Sequence, residues 1–386
     1  MPAFELGGDP DSILTHYAEE DKPFGAVVPP IFQNSLFLFD KAEDLADALT
    51  HYHEGPPFVY SRSGNPTVDI VERKIAALEG MGGCKITSGG IGAIAVALSS
   101  ELEAGAHAVI VDSAYGPTRG YLEFMSKFGV SHTCVPGTSV DEIADAVKPE
   151  TKAIYLESPS SILFRLQDLP AISKIARERK ITTFIDNTYC TPLYMRPAEY
   201  GIDVVLHSGS KYFGGHSDIN AGAICADSVR IERIVRNELS YYASLLHPFS
   251  AWLMLRGLRT LRVRVAQHEI AANYVAGWLE TQPQIERVRH ISLESFPQRD
   301  LFLKLMKGST GLFSFEPKVQ TREAVFAFAD ALKIFGRGIS WGGFESLVVP
   351  LHHPTENGPR WLVRLFCGLE DPEELRKDVE QALQYL

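Results

Sequence analysis

One lysine, Lys211, lies in a stretch of small and hydroxyl-bearing residues that begins at Ser208 and ends at His216. A lysine taken at random is usually a solvated surface charge. Residues 202–207, directly before this stretch, form an apolar run that reads as a short buried strand. Open α/β sheets build their sites in the loops at the carboxyl ends of such strands. The position therefore makes Lys211 a candidate covalent catalytic amine.

A second apolar run, residues 181–187, places the carboxylate of Asp186 at a strand end of the same kind. We expect Asp186 and Lys211 to face each other across neighbouring strand ends. Pyridoxal phosphate needs such a pair, because an amine forms the Schiff base and an anion keeps the ring nitrogen protonated, so that the ring accepts electrons. The hydroxyls of Ser208 and Ser210 are suited to the phosphate oxygens.

Ser88, Gly89 and Gly90 open a long apolar segment that is predicted to be a helix. Backbone N–H groups at a helix N-terminus are free to bind an anion, and the helix dipole favours negative charge there. We therefore predict that these three residues bind the cofactor phosphate.

The same segment allows a second interpretation, a dinucleotide site. Gly90, Gly92 and Ala95 match a relaxed dinucleotide fingerprint. Asp112 closes the next predicted strand about 20 residues later, where a ribose-binding acid belongs. A dinucleotide site, however, has no use for the lysine and the carboxylate described above. A dinucleotide-dependent oxidoreductase is therefore the distant alternative.

Three motifs together carry a resemblance to a known family. They are Ser208-Gly209-Ser210-Lys211-Tyr212-Phe213-Gly214-Gly215 followed by His216-Ser217-Asp218, the run Asp186-Asn187-Thr188, and Tyr60-Ser61-Arg62-Ser63-Gly64-Asn65-Pro66-Thr67. In this order they resemble the Cys/Met-metabolism family of pyridoxal-phosphate enzymes, which includes cystathionine beta-lyase, cystathionine gamma-lyase, cystathionine gamma-synthase and methionine gamma-lyase. The resemblance extends from about Val28 to the C-terminus.

The resemblance implies further cofactor contacts. It implies that Tyr115 stacks on the pyridine ring with its phenol near the reacting amino group, so that Tyr115 joins Lys211 as a catalytic residue. It also places Thr188 in the cofactor site. Tyr60 and Arg62 are expected to bind the cofactor phosphate of a neighbouring subunit, a role that suits arginine because its planar fork bonds two phosphate oxygens at once.

Arg364 lies within an otherwise apolar predicted strand, residues 362–366. A buried arginine is costly unless it is paired, and no acid adjoins it in the sequence. Its partner is therefore either an internal carboxylate or a carboxylate of the substrate. The resemblance assigns Arg364 to the α-carboxylate of the substrate.

The resemblance also places Ser340, Trp341, Ser161 and Tyr60 at the substrate. Gamma-lyases tend to carry Glu-Ser-Leu where bacterial beta-lyases carry Tyr-Ser-Trp, and this chain has Ile339-Ser340-Trp341. Trp341 thus favours beta-elimination, whereas Ile339 fits neither pattern and leaves open whether cystathionine itself is the substrate. Ser161 stands where the gamma enzymes usually carry asparagine, as it does in bacterial beta-lyases.

We therefore predict a pyridoxal-phosphate-dependent carbon–sulfur lyase that acts on L-cystathionine or a related L-amino acid thioether. Beta-elimination would release a thiol, pyruvate and ammonia. Gamma-elimination or gamma-replacement within the same family is the close alternative, because the first proton transfer is common to both. A cofactor-bound regulatory protein that has lost turnover is a further alternative.

Strand and helix patterns alternate up to about Tyr241, which is typical of a mostly parallel sheet covered on both faces. The resemblance implies an α/β fold of the fold-type I pyridoxal-phosphate-dependent transferase kind, with seven strands in that sheet. Beyond Tyr241 the pattern indicates a smaller C-terminal α+β domain. We predict an N-terminal arm over residues 1–60 that contacts a neighbouring subunit, a cofactor-binding domain over 61–245 and a C-terminal domain over 246–386.

The 386 residues are 45% hydrophobic and 22% charged, an ordinary globular composition. The net charge is −11 and no basic run is long, so we expect no nucleic-acid partner. The first five residues lack the features of a signal peptide, and no apolar run reaches membrane-spanning length. These observations predict a cytoplasmic protein with no membrane partner. The resemblance implies a homo-oligomer, a dimer of catalytic dimers.

Five cysteines are scattered along the chain without a C-x-x-C pair. This pattern argues against a disulfide framework or a zinc site, so no metal is predicted. Cys84, Cys134 and Cys225 have apolar or small neighbours and are predicted to be core thiols.

Overall fold

The computed structural model describes residues 8–51 and 55–386. Residues 1–7, which include the segment considered for a signal peptide, and residues 52–54 of the predicted arm lie outside the described residues. The helices are α1 (Pro10–His16), α2 (Ala42–His51), α3 (Pro66–Glu79), α4 (Gly90–Ser99), α5 (Gly116–Met125), α6 (Val140–Ala146), α7 (Leu169–Glu178), α8 (Thr191–Tyr194), α9 (Ser228–Ile234), α10 (Ser240–Tyr242), α11 (Pro248–Arg259), α12 (Leu261–Leu279), α13 (Arg299–Leu305), α14 (Arg322–Ala331) and α15 (Pro372–Ala382).

Side-chain caps fix the starts of two helices. The side chain of Asn65 accepts the N–H of Thr67 at 3.0 Å and caps α3, which has proline in its first turn. Asp371 caps α15 in the same way. Capping oxygens satisfy N–H groups that have no partner within the helix.

The larger sheet has seven strands. They are β1 (Gly83–Thr87), β2 (His107–Val111), β3 (Ser131–Val135), β4 (Thr151–Glu157), β5 (Thr182–Asp186), β6 (Val204–Ser208) and β7 (Gly222–Ala226). Their order across the sheet is β1-β7-β6-β5-β4-β2-β3. Only β7 runs antiparallel to its neighbours, so the carboxyl ends of the other six strands meet at one edge.

A second sheet lies in the C-terminal part of the chain. Its strands are β8 (Ile285–Arg289), β9 (Leu312–Pro317), β10 (Gly336–Arg337), β11 (Leu347–Thr355) and β12 (Gly358–Phe366). They are arranged β10-β11-β12-β9-β8 and are antiparallel except for the β10–β11 pair. The predicted fold class, a mostly parallel seven-stranded sheet with helices and a smaller C-terminal α+β unit, is confirmed.

Two clusters of buried apolar side chains form the core, one around each sheet. Helix α12 contributes to both, with Leu261 and Val265 in the first cluster and residues from Ala271 to Leu279 in the second. Helix α11 lies beyond the predicted boundary after residue 245, yet its buried residues belong to the first cluster. The division of the chain into domains therefore stays a prediction.

The described part of the arm is anchored at its start. Ile13 and Leu14 of α1 are buried against α3. Glu19 follows and pairs with the fully buried Lys74 at 3.0 Å and with Arg259 at 2.6 Å. Because a buried lysine is costly without a counter-charge, these contacts hold the start of the arm to its own subunit.

The cysteine prediction is correct for Cys84 and Cys225, which are buried, and wrong for Cys134, which is exposed. Cys134 lies on β3 at the edge of the sheet, where alternate side chains face solvent. Among the described residues, no helix is long and apolar enough to cross a membrane.

Candidate active site

Lys211 follows β6 in a tight turn. Its N–H donates to the carbonyl of Ser208 at 3.1 Å, and its own carbonyl accepts from Gly215 at 2.8 Å. The amine extends toward the C-terminal half of the chain, where its Nζ donates to the hydroxyl of Ser340 at 2.7 Å. The two halves of the molecule therefore meet at this lysine.

The turn that carries Ser340 packs directly on the backbone of Lys211. Gly342 has a φ of +85°, and a Cβ on it would lie 2.8 Å from the N of Tyr212 and 2.9 Å from the carbonyl carbon of Lys211. Only glycine fits such a position. Trp341 is buried against Tyr212, with ring centroids 5.5 Å apart, and the Lys211 amine lies 5.7 Å from the Trp341 ring centroid.

The environment of Lys211 favours its neutral form. Burial, together with the nearby charge of Arg364, lowers the pKa of the amine to about 8, while Asp186 and Glu345 act in the opposite direction. A neutral amine is a nucleophile and a base, whereas the ammonium ion is neither.

Asp186 ends β5 and lies within a small hydrogen-bonded group. Its carboxylate accepts from the N–H of Thr188 at 2.9 Å and from the Thr188 hydroxyl, and that hydroxyl in turn accepts from the N–H of Ser208 at 2.8 Å. Burial raises the pKa of Asp186, and the Thr188 bonds oppose this. No lysine, arginine or histidine nitrogen of the described residues lies within 4.0 Å of the carboxylate.

The glycine turn before α4 lies beside Ser208. A Cβ on Gly90 would come within 3.1 Å of the Ser208 side chain, whereas a Cβ on Gly89 would meet nothing within 4 Å. The helix N-terminus therefore faces open space next to the lysine loop. Ser88 contributes a hydroxyl 3.2 Å from that of Ser244. The hydroxyl of Ser210 accepts from the N–H of Ala221 at 2.9 Å and so is held by the chain's own backbone.

Glu157, at the end of β4, is a site residue that the sequence interpretation missed. One carboxylate oxygen accepts from the N–H of Tyr115 at 2.6 Å and the other from the N–H of Ser161 at 2.9 Å. Glu157 is the register partner of Asp186 in the sheet. Burial, with both carboxylates contributing, raises the pKa of the half-exposed Tyr115 phenol, so Tyr115 faces these acids. Register between β4 and β5 is the signal that would have found Glu157.

Arg364 lies on β12 and is 8% exposed. Its guanidinium donates to the carbonyl of Ser161 at 3.4 Å, and no carboxylate oxygen of residues 8–51 and 55–386 lies within 4.0 Å of it. Burial lowers the pKa of Arg364 to about 10, and Glu157 opposes the shift. A buried guanidinium without a nearby carboxylate would be stabilised by an anionic ligand.

Tyr60 and Arg62 lie apart from this cluster. Their side chains are exposed, with the Arg62 guanidinium 5.8 Å from the Tyr60 ring centroid. Within the part of the chain that the structure describes, no hydrogen bond or ion pair joins either residue to Lys211, Asp186 or Arg364.

The donor groups fit pyridoxal phosphate. The site offers an amine of lowered pKa, a half-buried carboxylate without a cationic partner among the described residues, and a glycine turn that opens a helix. These groups match the carbonyl, the ring nitrogen and the phosphate of that cofactor. Asp112, the acid of the dinucleotide alternative, instead pairs with Arg165 at 3.1 Å.

Comparisons with known proteins agree with this fit. Residues 11–384 match the family model described as "Cys/Met metabolism PLP-dependent enzyme". A Rhizobium johnstonii protein provisionally named cystathionine beta-lyase is 35% identical over 382 residues, covering 95% of this chain and 94% of that protein. The L-methionine gamma-lyase of Treponema denticola is 36% identical over 386 residues, covering 96% of both.

A solved structure from Campylobacter jejuni is also similar. It is described as a provisionally assigned O-acetylhomoserine (thiol)-lyase with pyridoxyl-lysine monophosphate. It is 26% identical with a TM-score of 0.90, and the match covers 97% of this chain and 99% of that one. The three relatives carry names of three different reactions, so similarity leaves the choice of reaction to the site.

Proposed function

Because the chain belongs to the Cys/Met-metabolism family of pyridoxal-phosphate-dependent enzymes, we propose that it is a carbon–sulfur lyase that acts on an L-amino acid thioether by beta-elimination. The products are a thiol, pyruvate and ammonia. The observation that supports this choice of reaction is Trp341, whose buried ring has its centroid 5.7 Å from the Lys211 amine, because bacterial beta-lyases carry tryptophan at this position.

The cofactor would be held by residues at the carboxyl edge of the larger sheet. Lys211 would be the covalent attachment point, Asp186 would hold the proton of the ring nitrogen, and Tyr115 would lie against the ring. The phosphate is bound by the remaining residues of the turn and the loop, namely Ser88, Gly89, Gly90, Ser208 and Ser210, with Thr188 fixing Asp186. When bound, pyridoxal phosphate supplies an electron sink that stabilises negative charge at the substrate Cα.

Lys211 moves the protons. Its Nζ would take the Cα proton, and the lowered pKa keeps part of the amine neutral for this step near neutral pH. The same Nζ then donates the proton to the departing sulfur. The Ser340 hydroxyl keeps the amine oriented between these two positions.

Arg364 orients the substrate. Its buried guanidinium has no carboxylate within 4.0 Å among the described residues, so the α-carboxylate of an amino acid would complete the pair. Ser161 and Trp341 line the same side, and Tyr60 of a second subunit would close it. A fixed carboxylate holds the Cα–H bond in one direction, which selects the proton that Lys211 removes.

Gamma-elimination on methionine is a second candidate, and the 36% identity to a methionine gamma-lyase favours it. Trp341 supports beta-elimination, because bacterial beta-lyases carry tryptophan at this position. The two reactions share the first proton transfer and differ in the bond that breaks afterwards.

Identifying the keto acid separates the two reactions. Purified enzyme is incubated with cystathionine and, separately, with methionine, and the products are resolved by chromatography. Pyruvate from cystathionine is the expected result. Release of 2-oxobutyrate with methanethiol from methionine would instead establish the gamma reaction.

The active unit is proposed to be a dimer, paired into a tetramer, in which Tyr60 and Arg62 reach the site of the second copy. Both side chains are exposed in the single chain, with Tyr60 46% exposed, and the arm leaves Phe24, Val27 and Leu38 exposed as well. Large apolar side chains exposed together on one arm favour burial against a second copy.

A further inference from the structure

Glu157 connects two turns of the candidate site. It is 5% exposed, and its two carboxylate oxygens each accept one backbone N–H, from Tyr115 after β2 and from Ser161 after β4. Neither N–H group has another acceptor in the described residues. Removing the carboxylate would therefore leave two donors without partners and release both turns.

The contacts continue from Ser161 to the substrate side. The carbonyl of Ser161 accepts from the guanidinium of Arg364 at 3.4 Å. Glu157 thus holds the Ser161 turn through its N–H, and the same turn contacts Arg364 through its carbonyl. The charge of Glu157 also raises the pKa of Arg364. It does not itself form an ion pair with Arg364 within 4.0 Å, so the cation stays available to a ligand.

The surroundings of Glu157 act against its ionisation. Burial and the neighbouring carboxylate of Asp186 hold the pKa of Glu157 well above its usual range. Asp186 is its register partner on β5, and Tyr155 is the other buried titratable group close by. Glu157 accepts its two N–H groups without pairing with Arg364, because no Glu157 oxygen lies within 4.0 Å of the guanidinium, so the cation can bind a substrate carboxylate.

We propose that Glu157 is a positioning residue that fixes the Tyr115 turn relative to the Ser161 turn and, through the Ser161 carbonyl, sets the orientation of Arg364. The role of Arg364 in binding the substrate carboxylate rests on the proposed function. The effect of Glu157 on Tyr115 does not depend on the proposed reaction. It requires only that the enzyme binds pyridoxal phosphate, as its family does.

The experiment compares Glu157→Ala and Glu157→Gln with Glu72→Gln as the matched control. Glu72 on α3 is also a buried glutamate; it accepts the N–H of Ile86 at 3.1 Å and pairs with Lys85 at 2.6 Å, and neither partner is a residue of the candidate site. For each protein we would record circular dichroism in the visible band of the bound cofactor, KM and kcat for cystathionine, and Tm.

We expect Glu157→Ala to raise KM about tenfold with a smaller fall in kcat, and to alter the cofactor circular dichroism, because the turns of Ser161 and Tyr115 are both released. Glu157→Gln keeps one carbonyl acceptor and should raise KM by about threefold. Glu72→Gln should lower only Tm. If Glu157→Ala does not accumulate as folded protein, Glu157→Gln carries the test with the same expected direction.

Two outcomes would overturn the proposal. Unchanged dichroism and KM with only a lowered Tm would make Glu157 a purely structural residue. A fall in kcat at unchanged KM would place its effect at the reacting atoms instead. If wild-type enzyme releases no keto acid, the proposed function fails, while the dichroism still reports whether Glu157 positions Tyr115.

Discussion

Opposing influences act on the amine of Lys211. Burial and the charge of Arg364 favour the neutral amine, whereas Asp186 and Glu345 favour the ammonium ion. Burial and Arg364 have the larger effect, and the pKa of the Lys211 amine falls to about 8. A lysine in this state forms a covalent bond with an aldehyde at neutral pH, which an ordinary surface lysine does slowly.

Lys211→Ala is expected to abolish keto acid release, because the residue is proposed to be both the attachment point and the proton carrier. The variant should lack the visible absorption band of a lysine-linked cofactor, and its Tm without cofactor should stay close to that of the parent. Absorption spectra and differential scanning calorimetry check these outcomes. Substantial turnover by the variant would remove Lys211 from the mechanism.

Cofactor uptake by cofactor-free enzyme should depend on pH in the range set by Lys211. The pKa is lowered, so the neutral amine appears as pH rises through about 8 instead of about 10.5. The rate should rise roughly fivefold between pH 7 and 8 and level off above about pH 9. Stopped-flow absorbance measures it, with Nα-acetyl-lysine as the control whose rate keeps rising. A parallel rise in both would show an unperturbed amine.

Arg364→Lys tests the substrate carboxylate. Lysine keeps the charge but loses the two-pronged geometry, so KM should rise by the equivalent of about 1.5 to 3 kcal/mol while cofactor content and Tm change little. Steady-state kinetics and calorimetry measure both. A lowered Tm at unchanged KM would instead make Arg364 a structural residue.

The roles of residues that follow from the local sequence could be predicted. Roles that follow from the alignment of one strand with its neighbour in the sheet could not. Lys211 and Asp186 follow apolar runs, and that local pattern was enough to place them at strand ends. Glu157 ends a predicted strand too, but its role comes from its alignment with Asp186 and from N–H groups of two other loops. No sequence pattern within β4 encodes that alignment.

At the level of elements, the turn over residues 340–344 forms a close contact between the two halves of the chain. Gly342 combines a left-handed backbone with a close approach to the lysine loop. Gly358→Ala is a matched control, because Gly358 has nearly the same φ, +87°, but nothing within 4 Å of an added Cβ. The two substitutions differ in the steric overlap alone.

Gly342→Ala should therefore cost more than Gly358→Ala. The left-handed conformation costs an alanine about 1 to 2 kcal/mol at either position, and overlap adds about 1 to 3 kcal/mol at Gly342. We expect Gly342→Ala also to displace the lysine loop and reduce cofactor content. Chemical denaturation and absorbance at saturating cofactor measure the two effects. Equal losses of stability in both variants would contradict the packing described here.

Strong local patterns predicted many of the elements. The capped starts of α3 and α15 and the apolar β5 and β6 could be read from the sequence, whereas β1, β3 and β7 of the larger sheet were missed. Strand β7, Gly-Ala-Ile-Cys-Ala, contains residues of low strand propensity and is a strand because it is inserted, antiparallel, between β1 and β6. Strand β3 is an exposed edge with polar side chains, so its hydrophobic signal is weak.

At the level of the whole molecule, the placement of Tyr60 and Arg62 away from Lys211 leads to a subunit-mixing experiment. Inactive Arg62→Ala and inactive Lys211→Ala are denatured together and refolded, or mixed under exchange conditions. A mixed dimer has one site with both intact residues, so random association should restore about one quarter of wild-type activity.

The matched control mixes Arg62→Ala with Tyr60→Ala. Both substitutions lie on the same exposed loop, so each site of that mixed dimer receives one defective loop and no activity should return. Mass spectrometry under native conditions shows whether mixed dimers form. Mixed dimers without recovered activity in the first pair would place both residues in the site of a single chain.

Helix α12 runs without interruption from one core cluster to the other. It contains no proline, and its one glycine, Gly277, lies in the last turn, so it has no built-in point at which to kink. We therefore do not expect α12 to act as a hinge between the two clusters. A movement of the C-terminal half away from Lys211 would bend α12 or remove its side chains from one of the two hydrophobic clusters. We therefore expect substrate and product to pass through movements of surface loops, with little change in the distance between the two sheets.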